Sequence, residues 1–288
     1  MGKGNRNSIQ VVDCPILAHY QFDDEQYILT LASAEIAQQT KPGQFVHLTV
    51  STALPMRRPI SIMSVNKEDG TFDLLYKVVG EGTRQLAERK IGEILSVIGP
   101  IGNGFKMTDK KLPLLIGGGV GMPPMIAIAQ QIKDNPQNNY DPFVILGSEV
   151  PFPFTPELSK MGKPCPQASH TMPQLEEWGI ACRLASLQGY EGVFKGYVTD
   201  LARIYLDTLS SEELTQIEIY SCGPHPMLEA VAKLAVEYNL PCQVSLEETM
   251  ACAVGGCAGC VVEVQTDNGL AMKRVCVDGP VFNSRDVF

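Results

Sequence analysis

Near its end the chain reads Met250-Ala-Cys252-Ala-Val-Gly-Gly-Cys257-Ala-Gly-Cys260, and a further cysteine follows at Cys276. The spacing C-x4-C-x2-C with a distant fourth cysteine is that of plant-type [2Fe–2S] sites, in which four thiolates hold two irons. Glycine reaches positive φ and lets backbone N–H groups approach the sulfurs, which are the tasks we expect of Gly255, Gly256 and Gly259. The stretch therefore predicts a [2Fe–2S] site formed by Cys252, Cys257, Cys260 and Cys276.

Two other uses of these cysteines stay open at this level. A zinc site also takes four cysteine ligands, but it usually shows two C-x2-C pairs, whereas this stretch has one. Disulfides would require an oxidising compartment. The nine cysteines of the chain come without an apolar signal segment, because the opening ten residues are polar. That combination favours a reducing cytoplasm, and a cluster over disulfides.

Length and composition narrow the class of protein. A chain of 288 residues is long enough for two or three domains, and 44% hydrophobic with 19% charged residues is ordinary for a globular protein. The formal net charge of −9 argues against a general nucleic-acid surface, which needs a basic patch. The sequence has no run of apolar residues long enough for a membrane helix, so no membrane span is predicted.

The first part of the chain reads as short strands separated by turns. Runs rich in β-branched and aromatic residues cover Ile9–Val12, Tyr27–Leu31, Phe45–Val50, Ile60–Val65 and Phe72–Val79. Turn signals between and after them include Lys41-Pro-Gly43, Glu68-Asp-Gly70 and Gly99-Pro100. Such spacing predicts an antiparallel β-barrel over residues 1–108, with one short helix over Thr83–Arg89.

Two short motifs in this barrel could bind a phosphate-containing ligand. Arg57-Arg58-Pro59-Ile60-Ser61 offers an arginine fork for a pyrophosphate and a serine hydroxyl for a flavin ring nitrogen. Gly80-Glu-Gly82-Thr83 opens the short helix and offers its backbone amides to an anion. Each motif alone also fits a simpler interpretation, as solvated charges or as an ordinary turn and N-cap.

Strands and helices alternate in the middle of the chain, which predicts a parallel-sheet α/β nucleotide-binding domain over residues 109–243. Leu112–Ile116 is a strand, Gly117-Gly-Gly-Val-Gly121 the turn, and Met122–Lys133 a helix with proline in its first turn. Met122 occupies the position where the Rossmann fingerprint needs glycine, so a plain turn is the alternative. Further strands are expected at Pro142–Gly147, Ile180–Ala185 and Ile217–Ser221, and further helices at Val198–Leu209 and Pro226–Tyr238.

The last of these strands runs into Cys222-Gly-Pro-His225. Ligands of open α/β sheets lie beyond the carboxyl ends of the strands, so Cys222 could face a reacting ring. It could equally be a small apolar residue before a turn. The proline-rich stretch from Ser148 to Glu177 predicts an irregular surface loop near the nucleotide site or a partner.

Taken in order, these motifs resemble the ferredoxin–NADP reductase superfamily, and more closely the electron-transfer subunits of class 1B dihydroorotate dehydrogenases. The resemblance covers nearly the whole chain and predicts an α+β multidomain protein. It rests on the segments Arg58–Ser61, Gly82-Thr83, Gly99–Phe105, Gly117–Pro124, Cys222–Met227, Ser245–Cys252 and Val275–Phe282.

The resemblance implies three cofactors and a partner. FAD would bind the barrel through Arg58, Pro59, Ile60, Ser61, Leu75, Tyr76, Lys77, Gly82 and Thr83. NAD would bind near Gly118, Gly119 and Gly121, with Cys222 as the catalytic residue, and the cluster would occupy a module over residues 244–288. A partner subunit in a heterotetramer would carry FMN and oxidise dihydroorotate in pyrimidine biosynthesis. Electrons would pass singly through the cluster to FAD and leave as hydride to NAD+.

Three points stay open. Glu149 would repel a 2′-phosphate if it faces the ribose, which favours NAD over NADP. A related NAD(P)H-dependent reductase subunit, using ferredoxin, sulfur or another acceptor, shares the flavin and nucleotide domains. A non-enzymatic module with a structural zinc is the other alternative, and it would be colourless.

Overall fold

The computed structural model describes residues 9–51, 53–162, 165 and 167–288, so residues 1–8, on which the signal-peptide prediction depends, lie outside it. The first region contains β1 (Gln10–Phe22), β2 (Gln26–Ala32), α1 (Ala34–Gln39), β3 (Phe45–Leu48), β4 (Arg58–Asn66), β5 (Thr71–Lys77), α2 (Glu81–Ala87) and β6 (Ile94–Ile101). The strands close a barrel in the order β1-β2-β5-β4-β3-β6, with every neighbouring pair antiparallel.

The barrel forms because alternate strand residues are apolar and point inward. Leu31, Ile62, Leu74 and Val97 from four different strands are buried in one cluster. The sequence prediction missed β6 and α1, and it was wrong to place a turn at Gly99-Pro100, which lies inside β6. The β3–β6 ladder has a register shift between Phe45 and His47 at this point, and a bulge is a place where a strand tolerates proline.

The remaining elements follow in chain order. They are β7 (Leu112–Gly118), α3 (Met122–Asp134), β8 (Phe143–Gly147), β9 (Glu157–Leu158), β10 (His170–Thr171), α4 (Pro173–Glu177), β11 (Ala181–Ser186), β12 (Phe194–Lys195), α5 (Val198–Leu206), α6 (Ser211–Thr215), β13 (Ile217–Cys222), α7 (His225–Glu237), β14 (Cys242–Ser245), β15 (Val261–Thr266), β16 (Gly269–Arg274), β17 (Val281–Asn283) and α8 (Ser284–Val287).

The central sheet has the order β12-β11-β8-β7-β13-β14-β17, and its pairs are parallel except for β14 with β17. The chain moves outward from β7 in one direction to β8 and in the other to β13. The switch point of the topology therefore lies between β7 and β13, where an open α/β sheet forms its ligand crevice.

The proline-rich stretch after β8 is more ordered than the sequence predicts. It contains the small β9–β10 hairpin and α4, and Phe152, Cys165 and Met172 are buried in the cores of the sheet domain. These apolar side chains are spaced irregularly between prolines, so neither helical nor strand periodicity reveals them. Lys163, Pro164 and Pro166 of this stretch lie outside the described residues.

The C-terminal region begins with an irregular loop over residues 246–260 and the two-stranded hairpin β15–β16. The chain then returns to the central sheet, because β17 pairs with β14 through Gln243–Asn283 and Ser245–Val281. The segment over residues 246–280, which contains the cysteine loop and the hairpin, is thus held at both ends by the central sheet. Within the described residues, no helix is both long enough and apolar enough to cross a membrane.

Candidate functional site

A cavity of about 830 Å³ lies between the barrel and the segment Ser245–Met250. Its size suits a large cofactor. Eight of the nine predicted FAD residues line it, namely Arg58, Pro59, Ile60, Ser61, Leu75, Tyr76, Lys77 and Thr83. They come from β4, β5 and α2, so the barrel brings together residues that the sequence separates.

The two arginines of the predicted fork have different tasks. Arg57 borders the cavity, but its guanidinium donates to the Ser96 carbonyl at 2.6 Å and to the Ser96 hydroxyl at 2.9 Å. It therefore ties β4 to β6. Among the described residues, Arg58 donates only to two carbonyls, that of Met56 at 2.6 Å and that of Arg57 at 3.3 Å. Its guanidinium also keeps donors for a ligand, so Arg58 is the better candidate for a pyrophosphate contact.

Gly82, the ninth residue, lies directly against Arg58. A Cβ at position 82 would overlap the Arg58 guanidinium, so glycine is the residue that lets this arginine lie across the start of α2. The Thr83 hydroxyl accepts the backbone N–H of Val79 at 2.9 Å and that of Gly80 at 3.3 Å. Thr83 thus fixes the turn next to Arg58 as well as bordering the cavity.

We expect Arg58→Ala to weaken FAD binding by about 10- to 100-fold, because a charge-assisted hydrogen bond contributes about 1.5–3 kcal/mol. Flavin released on ultrafiltration of the holoprotein measures the effect. Arg57→Ala is the matched comparison. Its loss of the Ser96 contacts should lower the melting temperature more than it lowers flavin affinity. Equal flavin retention in the wild type and Arg58→Ala would contradict the assignment.

The predicted nucleotide residues meet at the switch point. Gly121 packs so closely on the end of β13 that a Cβ there would lie 2.5 Å from the Cys222 carbonyl oxygen and the Gly223 nitrogen. Gly119 has φ +55°, a conformation that favours glycine. Val120, between them, is 37% exposed and lines the cavity of about 830 Å³ described above, which contains the predicted FAD residues and is called the flavin cavity from here on. The glycine turn therefore reaches the cavity that the barrel residues form.

Cys222 lies behind this surface rather than on it. Its side chain is fully buried, and burial raises the pKa of the thiol well above its ordinary value, so it is protonated. Its neighbour on β14, Ser245, lines the flavin cavity instead. The catalytic role predicted for Cys222 stays a prediction, since the thiol would need a local movement to touch a ligand.

The cysteine loop turns back on itself after two of its cysteines. Ala253 has φ +55° and Ala258 has φ +53°, so each alanine that follows a cysteine is in the left-handed region. Gly255 is the only predicted turn glycine of this loop with positive φ, at +81°. These reversals aim backbone N–H groups at sulfur, from Cys257 to the Cys252 Sγ and from Gly259 to the Cys257 Sγ, both at 3.4 Å.

The four predicted ligands are arranged as two pairs. The Sγ atoms of Cys260 and Cys276 are 3.4 Å apart, and the Cys257 backbone N–H faces the Cys252 Sγ. Among the described residues, no three or more His, Cys, Asp or Glu side chains are grouped closely enough to hold one metal ion. Two thiolates for each of two irons is the ligand pattern of a [2Fe–2S] cluster, whereas zinc needs all four around one point. The donor set therefore fits the cluster better than zinc.

The pKa values of the first and last of these thiols are shifted in opposite directions. Burial alone would raise the pKa of Cys252, but hydrogen bonds from the backbone at Val254, Cys257 and Gly256 lower it to about 7. Burial and the adjacent Cys260 raise the pKa of Cys276 to about 12. Cluster ligands must be deprotonated, so the backbone N–H groups that stabilise a thiolate at Cys252 would also stabilise bound sulfur.

Sequence reasoning missed one wall of the flavin cavity. Ser245, Leu246, Glu247, Glu248, Thr249 and Met250 all line it, and Cys252 follows two residues later. No local pattern marks this segment as a ligand contact. Its position after β14, the strand next to the edge strand β17, is what turns it toward the barrel, and that position depends on the sheet order.

Comparison with known proteins agrees with this layout. Residues 19–105 match the family model for the oxidoreductase FAD-binding domain. Residues 247–288 match the model for the iron–sulfur cluster binding domain of dihydroorotate dehydrogenase B. The chain is 32% identical over 273 residues to the electron transfer subunit of dihydroorotate dehydrogenase B (NAD(+)) from Caldanaerobacter subterraneus subsp. tengcongensis, covering 94% of this chain and 96% of the relative. This chain belongs to the family of dihydroorotate dehydrogenase B electron-transfer subunits.

A second member of the family, from Bacillus cereus, is 36% identical over 265 residues and covers 89% of this chain and 90% of its own. Among solved structures, an NADH-dependent reduced ferredoxin–NADP oxidoreductase has a TM-score of 0.77 at 24% identity, covering 96% of this chain and 89% of its own. The ferredoxin reductase of carbazole 1,9a-dioxygenase has a TM-score of 0.59 at 21% identity, covering 81% and 67%. These two likenesses show the fold.

The predicted family and fold class are therefore confirmed. The fold is that of ferredoxin–NADP reductases, with an antiparallel barrel, a parallel-sheet domain and a C-terminal iron–sulfur region. The predicted FAD and iron–sulfur cofactors agree with the two matched domains, and NAD(+) is the acceptor named for the relatives.

Proposed function

We propose that this chain carries electrons from a dihydroorotate-oxidising catalytic subunit, through a [2Fe–2S] cluster and FAD, to NAD+. The relatives are named electron transfer subunits of an NAD(+)-dependent dihydroorotate dehydrogenase, which supports the electron donor and the acceptor in this proposal. The observation that carries it is the segment Ser245–Met250, which lines the flavin cavity and runs directly into Cys252. A cluster on the cysteine loop and a flavin in the cavity would share this short wall.

The chain's own residues would hold three cofactors. Arg58, Pro59, Ile60, Ser61, Leu75, Tyr76, Lys77, Gly82 and Thr83 would bind FAD, and Cys252, Cys257, Cys260 and Cys276 would bind the cluster. Gly118, Gly119 and Gly121 would bind NAD beside Cys222. A bound flavin exchanges electrons singly with a cluster and in pairs with NAD+. We also propose three domains, over residues 1–108, 109–243 and 244–288. The barrel, the central sheet and the cysteine loop support them, although strand β14 crosses the boundary between the second and the third.

The barrel holds its side of the cavity rigid. The Tyr76 hydroxyl bonds the Nε2 of His19 at 2.8 Å, and its ring stacks on Tyr27 with centroids 5.3 Å apart. Lys77 is paired with Asp24. Such fixed neighbours keep a bound ring in one orientation toward the glycine turn, and orientation of this kind is a large part of what a protein contributes to hydride transfer.

NAD+ is the acceptor we propose rather than NADP+. Glu149 follows the carboxyl end of β8, next to the glycine turn of β7, and is exposed. A carboxylate there suits a ribose diol and repels a 2′-phosphate.

The catalytic partner would dock on the hairpin beside the cysteine loop. Residues that pair across β15 and β16 share a face, and Val261, Leu270 and Met272 of one face are 36%, 66% and 62% exposed. Val254 in the cysteine loop is 46% exposed, and Cys257 is also exposed. An exposed apolar surface around a cluster ligand such as Cys257 is typical of a protein interface. A partner that donates single electrons to the cluster would cover this surface. We propose that this partner carries FMN and that the assembly is a heterotetramer in a reducing cytoplasm, which suits a chain with nine cysteines.

Leu270→Glu and Met272→Glu should each weaken binding of the catalytic subunit by more than about tenfold, because a charge would be buried without a partner. Co-purification of the two tagged subunits gives the measurement. Val236→Glu is the control, since Val236 is 59% exposed on α7, away from the hairpin. Undiminished co-purification of both hairpin variants would place the interface elsewhere.

An anaerobic titration tests the electron path. The purified chain should show flavin bands and a broad iron–sulfur absorption, and NADH should bleach both. Adding the FMN subunit and dihydroorotate should then reduce both cofactors from the opposite direction. A colourless protein containing zinc would refute the redox function, and bleaching by NADPH alone would favour a different reductase.

A further inference from the structure

A second cavity, of about 430 Å³, lies on the other side of the flavin-cavity wall. This second cavity is formed by the start of α7, strand β15 and the C-terminal residues of the chain. The residues from these elements that line it include His225, Leu228, Val262, Glu263, Val287 and Phe288. Leu246, Glu247 and Glu248 line both cavities. These three residues are therefore a partition, by which we mean the part of the chain that the two cavities share.

Glu247 differs from its neighbours in this partition. The side chain is accessible, as expected where it borders two cavities, yet it is surrounded by enough protein that burial raises the pKa of its carboxyl. A negative charge on Glu247 also raises the pKa of the Cys222 thiol at the end of β13, so the carboxyl lies near the carboxyl end of that strand. A carboxyl of this kind holds a proton at a pH where an ordinary surface glutamate has lost it.

The electron path of the proposed function, on which this inference rests, has an unmet proton requirement. A cluster delivers electrons one at a time and without protons, whereas a hydride contains two electrons and one proton. Each NAD+ reduced therefore needs one proton brought from water to the flavin cavity. The barrel side of that cavity offers the cations Arg57, Arg58 and Lys77, of which the two arginines are poor proton donors.

We propose that Glu247 carries this proton from the second cavity to the flavin cavity. As two electrons arrive from the cluster, the carboxyl O–H bond of Glu247 breaks and its proton passes to the bound flavin. The carboxylate then takes a proton from water in the second cavity. The transferred proton leaves with both electrons as the hydride that NAD+ accepts, so one proton and two electrons enter and leave in each turnover.

The groups around Glu247 set the conditions for this transfer. Those that line the two cavities or interact with it are Arg57, Arg58 and Lys77 from the barrel, Cys222 from β13, His225 from α7, Glu248 beside it and Glu263 from β15. Glu248 and Glu263 would keep cations and water on the solvent side. His225 contacts the ring of Phe288 with centroids 5.2 Å apart, which places an aromatic side chain of the chain end at the second cavity.

The test uses the holoprotein and Glu247→Gln, which keeps the shape of the side chain and removes the proton. Direct hydride transfer from NADH to the flavin should be retained, because that step brings its own proton. Onward transfer to the catalytic subunit, which requires a proton to leave, should slow by about 10²- to 10⁴-fold, and its solvent isotope effect should become larger than in the wild type because proton transfer then limits the rate. Glu229→Gln, which changes an exposed carboxylate on α7 that lines neither cavity, should keep the rate and the pH dependence of the wild type, and Glu247→Asp should keep part of the rate.

A second measurement does not depend on activity. The folded state holds a proton on Glu247 that the unfolded chain releases at about pH 4.3. Wild-type stability should therefore fall as pH rises from that value to the folded pKa, and Glu247→Gln should lack this part of the fall. A wild-type rate and isotope effect in Glu247→Gln, with NADH still reducing the flavin, would overturn the proposal. Failure of NADH to reduce the wild-type flavin would instead refute the proposed function.

Discussion

Cys260→Ser is expected to abolish the [2Fe–2S] cluster while leaving FAD bound. Cys260 is buried, and its Sγ lies 3.4 Å from that of Cys276, so the substitution removes half of one ligand pair. Cluster occupancy should fall by more than about tenfold, since even changes outside the ligand shell cost about 10- to 100-fold in metal affinity. NADH should still reduce the flavin of this variant, but electrons should no longer pass to a one-electron acceptor.

The measurement is iron and acid-labile sulfide per flavin, together with the visible spectrum before and after NADH. Cys14→Ala is the control, because Cys14 is buried in the barrel and burial raises the pKa of its thiol to about 12. That variant should keep a full cluster. A full cluster in Cys260→Ser would remove this residue from the ligand set, and zinc in place of iron in the wild type would revive the structural-zinc alternative.

Sequence alone could predict those residues whose motif consists of positions close together along the chain. The four cysteines, the glycine turn after β7 and Arg58–Ser61 each depend on neighbours within a few positions, so pattern and chemistry suffice to select them. The strand and helix order of the sheet domain is equally local, because apolar runs alternate with helical periodicity. The predicted order of strands and helices agrees with the structure from β7 to α7, apart from the short elements β9, β10, α4, β12 and α6, whereas the ligand roles of these site residues stay predictions.

What sequence could not predict depends on contacts between distant parts of the chain. Ser245–Met250 becomes a cavity wall only because β14 is near the edge of the sheet and the chain then turns toward the barrel. The different tasks of Arg57 and Arg58 follow from Ser96 on β6, a strand that the sequence did not reveal. Left-handed turns were expected at glycines, and Gly255 has one, but the other two are at Ala253 and Ala258, each directly after a cysteine, where the following N–H groups meet sulfur.

Gly121→Ala should have the largest effect on the reaction with nucleotide. Its new Cβ would lie 2.5 Å from the Cys222 carbonyl oxygen and the Gly223 nitrogen, which are backbone atoms and cannot rotate away. The glycine turn and the end of β13 must therefore separate. A displacement of about 1 Å in a positioning element can lower a rate by about 10²-fold, so we expect a loss of that size in flavin reduction by NADH.

Gly119→Ala separates this steric effect from backbone strain. A Cβ at Gly119 would meet nothing within 4 Å, and the cost is that of φ +55°, about 1–2 kcal/mol of stability. Its effect on NADH reduction should therefore be much smaller than that of Gly121→Ala. Stopped-flow reduction of the holoprotein gives both rates, and unchanged flavin and cluster spectra show that the barrel and cysteine loop remain folded. Rapid reduction of Gly121→Ala by NADH would mean that the nucleotide binds away from the β7–β13 switch point. A nucleotide bound at the switch point would be displaced when the glycine turn moves away from the end of β13.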